Sequence, residues 1–432
     1  MMNIMAYKPY SITMHELAAA DRDHIPRELR TDTGLIYNSP AALDFNSPGA
    51  QGFGVKRAGL AIPGSIMLLL APGCCGRNTS AIEAADRYGE RFAYFMLDEN
   101  DIVTGRHLTK VPEAVKAFVA SRQSPPSVVM ICITCVDALL GTDMERVCRK
   151  ASSACGLPVL PSYMYALTRD SRKPPMTAIR QTIYSLLEPR AKDPTAVNLL
   201  GHFAPLMTGS ELYALLRTLG IRSIREIARC DTYDKYQQLA EANFNLVLNP
   251  EAREAADWFQ KQLSIPSIEL KRLYQLDKIS RQYQGLGQVL GTKLMDEPYQ
   301  TEAQSAVTAF TEDHPDITLG IGSRLNANPF ELALAMVRYG LPVAELYAIP
   351  QPADFFYIQR LAELSPDTRL YMNLSPSMVN YTEDQSPVDF VLGADAAYYH
   401  PHCRSVIWND EQQPFGYQAV RDLFIRMKEA FA

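Results

Sequence analysis

The sequence predicts an α/β protein made of three doubly wound domains with parallel sheets. Three observations carry that expectation. Short apolar runs such as "SIMLLLA" and "SVVMICIT" alternate with longer segments of helical spacing. Strands that are apolar throughout are buried on both faces, as in parallel sheets covered by helices. The alternation starts near residue 64, resumes after the Pro- and charge-rich stretch "LLEPRAKDPTA", and starts again near residue 316. We therefore divide the chain near residues 190 and 300. An N-terminal region and first α/β domain take 1–190, a second takes 191–300, and a third, ending in a helix, takes 301–432. No sequence repeat or low-complexity tract is visible.

The elements follow in order. In the first set "SIMLLLA" is a buried strand and "NTSAIEAADRYGERF" a helix capped by Asn78 or Thr79. "AYFMLD" is a strand, and "DIVTGRHLTKVPEAVKAFVASR" is mostly helix, in which Pro112 must start or kink a segment. "SVVMICIT" is a strand, "VDALLGTDMERVCRKASSACG" a helix closed by Gly156, and "LPVLPSY" a strand. The second set has strands "VNLLGHF", "SIREIAR" and "FNLVLN", separated by helices "GSELYALLRTLG" and "TYDKYQQLAEA". The third has strands "DITLGIG", "PVAELYAI", "RLYMNL" and "VDFVLGA" with helices between them.

Bulk properties narrow the function. A chain of 432 residues allows a large core, and 47% hydrophobic with 21% charged residues is ordinary for a globular protein. A net charge of −6 gives no support to binding nucleic acid or an anionic membrane. The longest apolar stretches, "LAIPGSIMLLLAP" and "VVMICITCVDALL", are too short to span a bilayer. "MMNIMAYKPYSITMHEL" has no basic segment followed by an apolar one, so no secretion signal is expected and the cytoplasm is. Eight cysteines in such a chain favour thiols or metal ligands over disulfides.

Three of those cysteines lie where ligands bind in parallel sheets, beyond the carboxyl ends of strands. Cys74 and Cys75 follow "LLLAPG", and Cys135 follows "MICIT". Two thiolates can thus converge on one edge of one sheet although about sixty residues separate them. Soft thiolates on short loops suit an iron–sulfur cluster. The alternative is that they are packed cysteines acting as small hydrophobes.

The run "APGCC", then "DENDIVTGRHLTKVPEAV", then "ITCVDALLGTDMERV" resembles component 1 of nitrogenase and its relatives. The likeness continues through "VNLLGHFAPLMTGSELYALLRTLGIRSI", "NFNLVLNPEAREAADWF" and the terminal "FGYQAVRDLFIRM", so it covers nearly the whole chain. It implies three Rossmann-like domains around a central cleft. It also implies a [4Fe–4S] cluster at a subunit interface, reduced by an ATP-dependent iron protein. The motifs place cluster ligands at Cys75 and Cys135, leave Cys74 as a third ligand or a bystander, and point to Asp44 where the family's first cysteine would fall. With two such cysteines per chain, a homodimer, or a heteromer with a related chain, completes a four-thiolate site. The residues that anchor the nitrogenase metallocluster align with Asn249 and about Val406, neither of which offers a thiolate or imidazole. The resemblance therefore implies a reductase of a small organic substrate held in the cleft, without an iron–molybdenum type cofactor. The alternative is a non-catalytic scaffold for metallocluster or cofactor maturation. A weaker third reading is a cluster-free small-molecule binder.

Other residues are candidates with plain alternatives. His202 ends a strand of the second domain and Cys230 ends "IREIARC" just before a cap at Asp231. Both could face the cleft as proton donors, or be a structural histidine and a packed thiol. "YYHPHCRS" groups His400, His402 and Cys403 without a standard zinc spacing, and His402 is a further proton-donor candidate. Cys132 and Cys148 read as core. Asn249-Pro250-Glu251 reads as a helix cap with Pro in the first helical position. "GIGSRLNANPFE" has only a G-x-G before a capped helix, a weak anion-binding signal.

Overall fold

The structure is a computed structural model and describes residues 8–31, 58–73, 89–133, 140–163, 175–384 and 386–432. Its strands, numbered along the chain from β1 (Ser11–Thr13), form three sheets. By their contacts the residues fall into two compact units, one of 53–205 with 221–271, the other of 1–52, 206–220 and 272–432.

The unit of 53–205 with 221–271 holds two four-stranded parallel sheets. The first contains β2 (Ile66–Ala71), β3 (Phe92–Met96), β4 (Val129–Ile133) and β5 (Val159–Tyr163), in the order β3-β2-β4-β5. Every residue of β2 and β4 is buried, as expected for apolar strands in the middle of a covered sheet. Pro161 is accommodated because β5 is an edge. Ile66, Leu68 and Leu70 pack with Val129, Ile131 and Ile133 against Val111, Val115, Val147 and Cys148 of the helices His107–Ala120 and Met144–Cys155. On the opposite face Met67, Leu69, Met130 and Cys132 join a second core that continues into Leu200 and Val247 of the second sheet and Phe259 of the helix Arg253–Leu263.

The second sheet contains β6 (Asp193–Leu200), β7 (Ser223–Arg225), β8 (Ala242–Val247) and β9 (Ser267–Glu269), ordered β7-β6-β8-β9. Both sheets therefore reverse strand order beside their first strand, between β2 and β4 and between β6 and β8. In a doubly wound sheet that reversal opens a crevice at the strands' carboxyl ends.

The other unit holds a six-stranded sheet ordered β1-β12-β11-β10-β13-β14, with β10 (Leu319–Ile321), β11 (Val343–Tyr347), β12 (Arg369–Tyr371), β13 (Phe390–Leu392) and β14 (Arg404–Val406) parallel. β1 adds antiparallel at the edge, Ser11 opposite Tyr371. Its order reverses between β10 and β13. Among the described residues no helix is long and apolar enough to cross a membrane.

Local signals explain most element ends. Asp98, Asp143, Ser210, Asn249 and Asn328 each accept a backbone N–H at a helix start, and Gly156 closes its helix at φ 73°. Three local expectations need correction. Pro112 lies inside the helix His107–Ala120, and the break falls earlier, at Gly105 with φ 68°. The strand expected over "SIREIAR" stops at Arg225, and a 3₁₀ turn follows at Ile227–Arg229. Thr232, not Asp231, caps the next helix, while Asp231 pairs with Lys235 at 2.7 Å.

Candidate functional site

The first candidate region is the carboxyl edge of the β3-β2-β4-β5 sheet. β2 and β4 are neighbours there, with Leu70 opposite Ile133. The chain leaves β2 after Ala71, four residues before Cys75, and leaves β4 after Ile133, two residues before Cys135. Cys74, Cys75, Cys135 and Asp44 themselves lie outside the described residues. The stem leading to the cysteine turn is fixed by β3 and the residue that follows it. The Tyr94 hydroxyl donates to the Ala71 and Pro72 carbonyls at 3.0 and 2.6 Å, and Leu97 N donates to Ala71 O at 3.0 Å.

The "DENDIVTGRHLTK" segment follows β3 and is built around a buried carboxylate. Asp101 sits at 2% exposure, ion-paired with Lys110 and with Arg106 at 3.6 Å. The Lys110 hydrogen bond holds the Asp101 carboxyl below the usual range despite its loss of water. His107, also buried, approaches the Asp101 carbonyl through Nδ1 at 3.1 Å. These residues brace the helices Glu99–Thr104 and His107–Ala120, joined at Gly105.

The second region is the carboxyl edge of the β7-β6-β8-β9 sheet. Half-buried His202 follows β6 there, next to Gly201. Gly201 has φ 123°, and a Cβ on it would lie 2.7 Å from Asn249 Cβ, so glycine alone permits this close approach of the two loops. Asn249 spends its side-chain oxygen as a cap, accepting from Glu251 N at 3.0 Å. Arg180, which sequence reasoning missed, ties the two loops together. It donates through Nε to Gly201 O at 3.0 Å, pairs with Glu251 at 2.7 Å, and lies 4.6 Å over the Phe203 ring. Burial pulls the Arg180 guanidinium below its ordinary value, and Glu251 opposes that shift. Nothing in a lone arginine of a helix marks it for this role in sequence. Cys230 packs beside the core of the same unit, its thiol donating to Glu226 O at 3.4 Å, and burial raises it to about 11.

In the other unit His402 is an exposed side chain hydrogen-bonded to Glu383, on the loop entering β14. Val406 is a buried residue of β14. The loop "GIGSR" after β10 is closed by Asp395, which accepts from Ser323 N at 2.8 Å and Arg324 N at 3.0 Å. An acidic group thus already occupies the N–H donors that an anion would need. His202 and Cys230 therefore belong to one unit and His402 to the other.

Residues 50–336 match the family model described as nitrogenase component 1 type oxidoreductase. The chain belongs to that family. Its curated relatives include the nitrogenase iron-molybdenum cofactor biosynthesis protein NifE of Rhodobacter capsulatus, 28% identical over 211 residues, which are 47% of this chain and 44% of that protein. The protein of the same name from Sinorhizobium fredii (strain NBRC 101917 / NGR234) is 32% identical over 129 residues, 29% of this chain and 26% of that one. These matches span less than half the length of the relatives. Among solved structures, "Nitrogenase Cp1 at pH 6.5" superposes with a TM-score of 0.67 at 15% identity, covering 88% of this chain and 92% of that chain. At that identity the likeness concerns the fold, and it agrees with doubly wound parallel sheets.

For a nitrogenase component 1 relative, the two edges differ in the donors they offer. The segments leaving β2 and β4 carry soft thiols, the donor set that iron–sulfur clusters take. Beside the imidazole of His202, a metal-ligand type, the edge beyond β6 and β8 offers Asn249, a neutral amide already used as a cap, and a paired arginine. Those two side chains do not fit as ligands of a metallocluster.

Proposed function

We propose that this nitrogenase component 1 relative is a non-catalytic scaffold for maturation of a metallocluster or cofactor. In this reading Cys75 and Cys135, with Cys74 or Asp44 as further candidates, hold a [4Fe–4S] cluster shared with a second chain, a copy of this one or a related subunit. The cluster supplies low-potential electrons, and an ATP-dependent iron protein is the expected donor. The observation that carries the cluster is the pairing of β2 with β4, which sends both cysteine segments off one sheet edge from adjacent strands. The observation that favours a scaffold is the name shared by the curated relatives, a cofactor biosynthesis protein.

A second reading keeps an observation of its own. A metallic cargo needs anchoring donors, and the aligned positions Asn249 and Val406 supply none. That favours an organic substrate reduced with protons from His202 or Cys230, since His402 is exposed on the loop entering β14. One experiment separates the two. The anaerobically purified full chain is assayed for ATP-dependent consumption of reducing equivalents with its iron protein. It is also assayed for transfer of bound metal to a metal-free nitrogenase-type acceptor. The scaffold reading expects transfer without steady turnover. Multiple turnovers of an organic substrate, with no transfer, would establish the reductase instead.

A further inference from the structure

We propose a divalent metal site of the zinc class in the six-stranded sheet's unit, with Glu383, His400 and Cys403 as ligands. Among the described residues these three offer donor atoms that all lie within 4.8 Å of one another. A metal with ligand bonds of ~2.0–2.3 Å in tetrahedral geometry needs donors ~3.3–3.8 Å apart, so only a small closure is required. His400 Nδ1 already stands 3.8 Å from Glu383 Oε2, beyond hydrogen-bond range.

The orientation of His400 follows from its other nitrogen. His400 is 1% exposed, and its Nε2 lies 2.7 Å from the Tyr347 hydroxyl, 3.1 Å from the Tyr381 hydroxyl and 3.2 Å from Glu345 Oε2. Both hydroxyls also reach Glu345 Oε2, at 2.5 and 2.6 Å, and lie 2.8 Å from each other. Each hydroxyl has only one proton to give. With Nε2 donating to Glu345, the tautomer that this carboxylate favours, the lone pair lies on Nδ1, on the side of Glu383. This carboxylate–histidine pairing is the outer-shell arrangement that fixes metal-bound imidazoles.

Charge balance fits as well. Cys403 donates its S–H to Val388 O at 3.2 Å. Metal binding replaces that proton, which leaves to solvent. One thiolate and one carboxylate then neutralise a dication, with the imidazole neutral. A mixed sulfur, nitrogen and oxygen set suits Zn²⁺ over Mg²⁺ or Ca²⁺. The ligands come from two loops at the amino-terminal edge of the sheet, before β13 and before β14, so this site is separate from the strands' carboxyl edges. Sequence spacing hid it, because Glu383 precedes His400 by seventeen positions, with β13 and the helix Ala394–Tyr399 between them.

The test uses the full chain, stripped with chelator and titrated anaerobically with Co²⁺. The wild type and Cys75→Ser should both show a thiolate-to-cobalt charge-transfer band that Zn²⁺ abolishes. Cys403→Ser should lose one equivalent of Co²⁺ together with that band, and Glu383→Gln should bind Zn²⁺ at least about tenfold more weakly. Should Cys403→Ser not fold, the Glu383→Gln competition titration decides. Equal affinity in that variant, or undiminished Co²⁺ uptake and band in Cys403→Ser, overturns the proposal.

Discussion

Glu331 shows how a single buried carboxylate makes stability depend on pH. It is 1% exposed and accepts from Tyr274 N at 2.9 and 3.0 Å, from Gln275 N at 3.3 Å and from Gln275 Nε2 at 3.1 Å. Burial raises its carboxyl from 4.5 to about 7, against the pull of those donors. A carboxyl that holds its proton more tightly when folded contributes fully below its unfolded value. That contribution is lost as pH rises through about 7. Wild-type stability relative to Glu331→Gln should therefore fall by up to about 3 kcal/mol from acid to neutral pH, at about 1.4 kcal/mol per unit. Urea unfolding of both chains across that range measures it, and a pH-independent difference would count against it. The Arg180–Glu251 pair makes a second residue-scale prediction. Glu251→Gln leaves the buried guanidinium beside a neutral amide. With Glu251 35% exposed, the cost should be about 1–3 kcal/mol, less than for a wholly buried pair. An unchanged urea midpoint would contradict it. Neither carboxylate was singled out for this from sequence, because a Glu on an amphipathic helix or after a cap carries no mark of burial or of its partner.

At the scale of elements, the terminal "FGY" segment is one that the family resemblance marks without explaining. The structure supplies the reason. Glu211, 1% exposed at the start of the helix Glu211–Thr218, caps the last helix, Gly416–Glu429, from another part of the chain. It accepts from Tyr417 N at 2.6 Å, Gln418 N at 3.1 Å and the Tyr283 hydroxyl at 2.7 Å. Gly416 has φ 71°, and a Cβ there would collide with Glu211 Oε1. Gly416→Ala should cost about 1–3 kcal/mol in strain and lost capping. Thermal melting checks it, and an alanine variant as stable as the wild type would refute the account. Long apolar strands such as β2 and β4, and caps such as Asn249 with Pro250, were legible because each is a local pattern. β1, β9 and β14 were not. Each is a three-residue strand that exists only because a neighbour's edge is available to pair with, which is tertiary information.

At the scale of the whole molecule, three sheets reverse strand order, beside β2, β6 and β10, and the alternation of strands and helices that builds them was readable in the sequence. We propose that the sheets mark three domains divided near residues 190 and 300, although the first two sheets share a core. The sequence already placed the thiols beyond strands of the first sheet; what it did not convey is that Arg180 latches the edge of the second. The chemistry of the first edge is the central claim. Iron and acid-labile sulfide in anaerobically purified full chain, measured with sedimentation, test it most directly. The account predicts about four irons per pair of chains, a dimeric or heteromeric loaded species, and loss of both iron and visible absorption in Cys135→Ala. Full iron with an unchanged spectrum in Cys135→Ala, or a loaded species that sediments as a monomer, would contradict it.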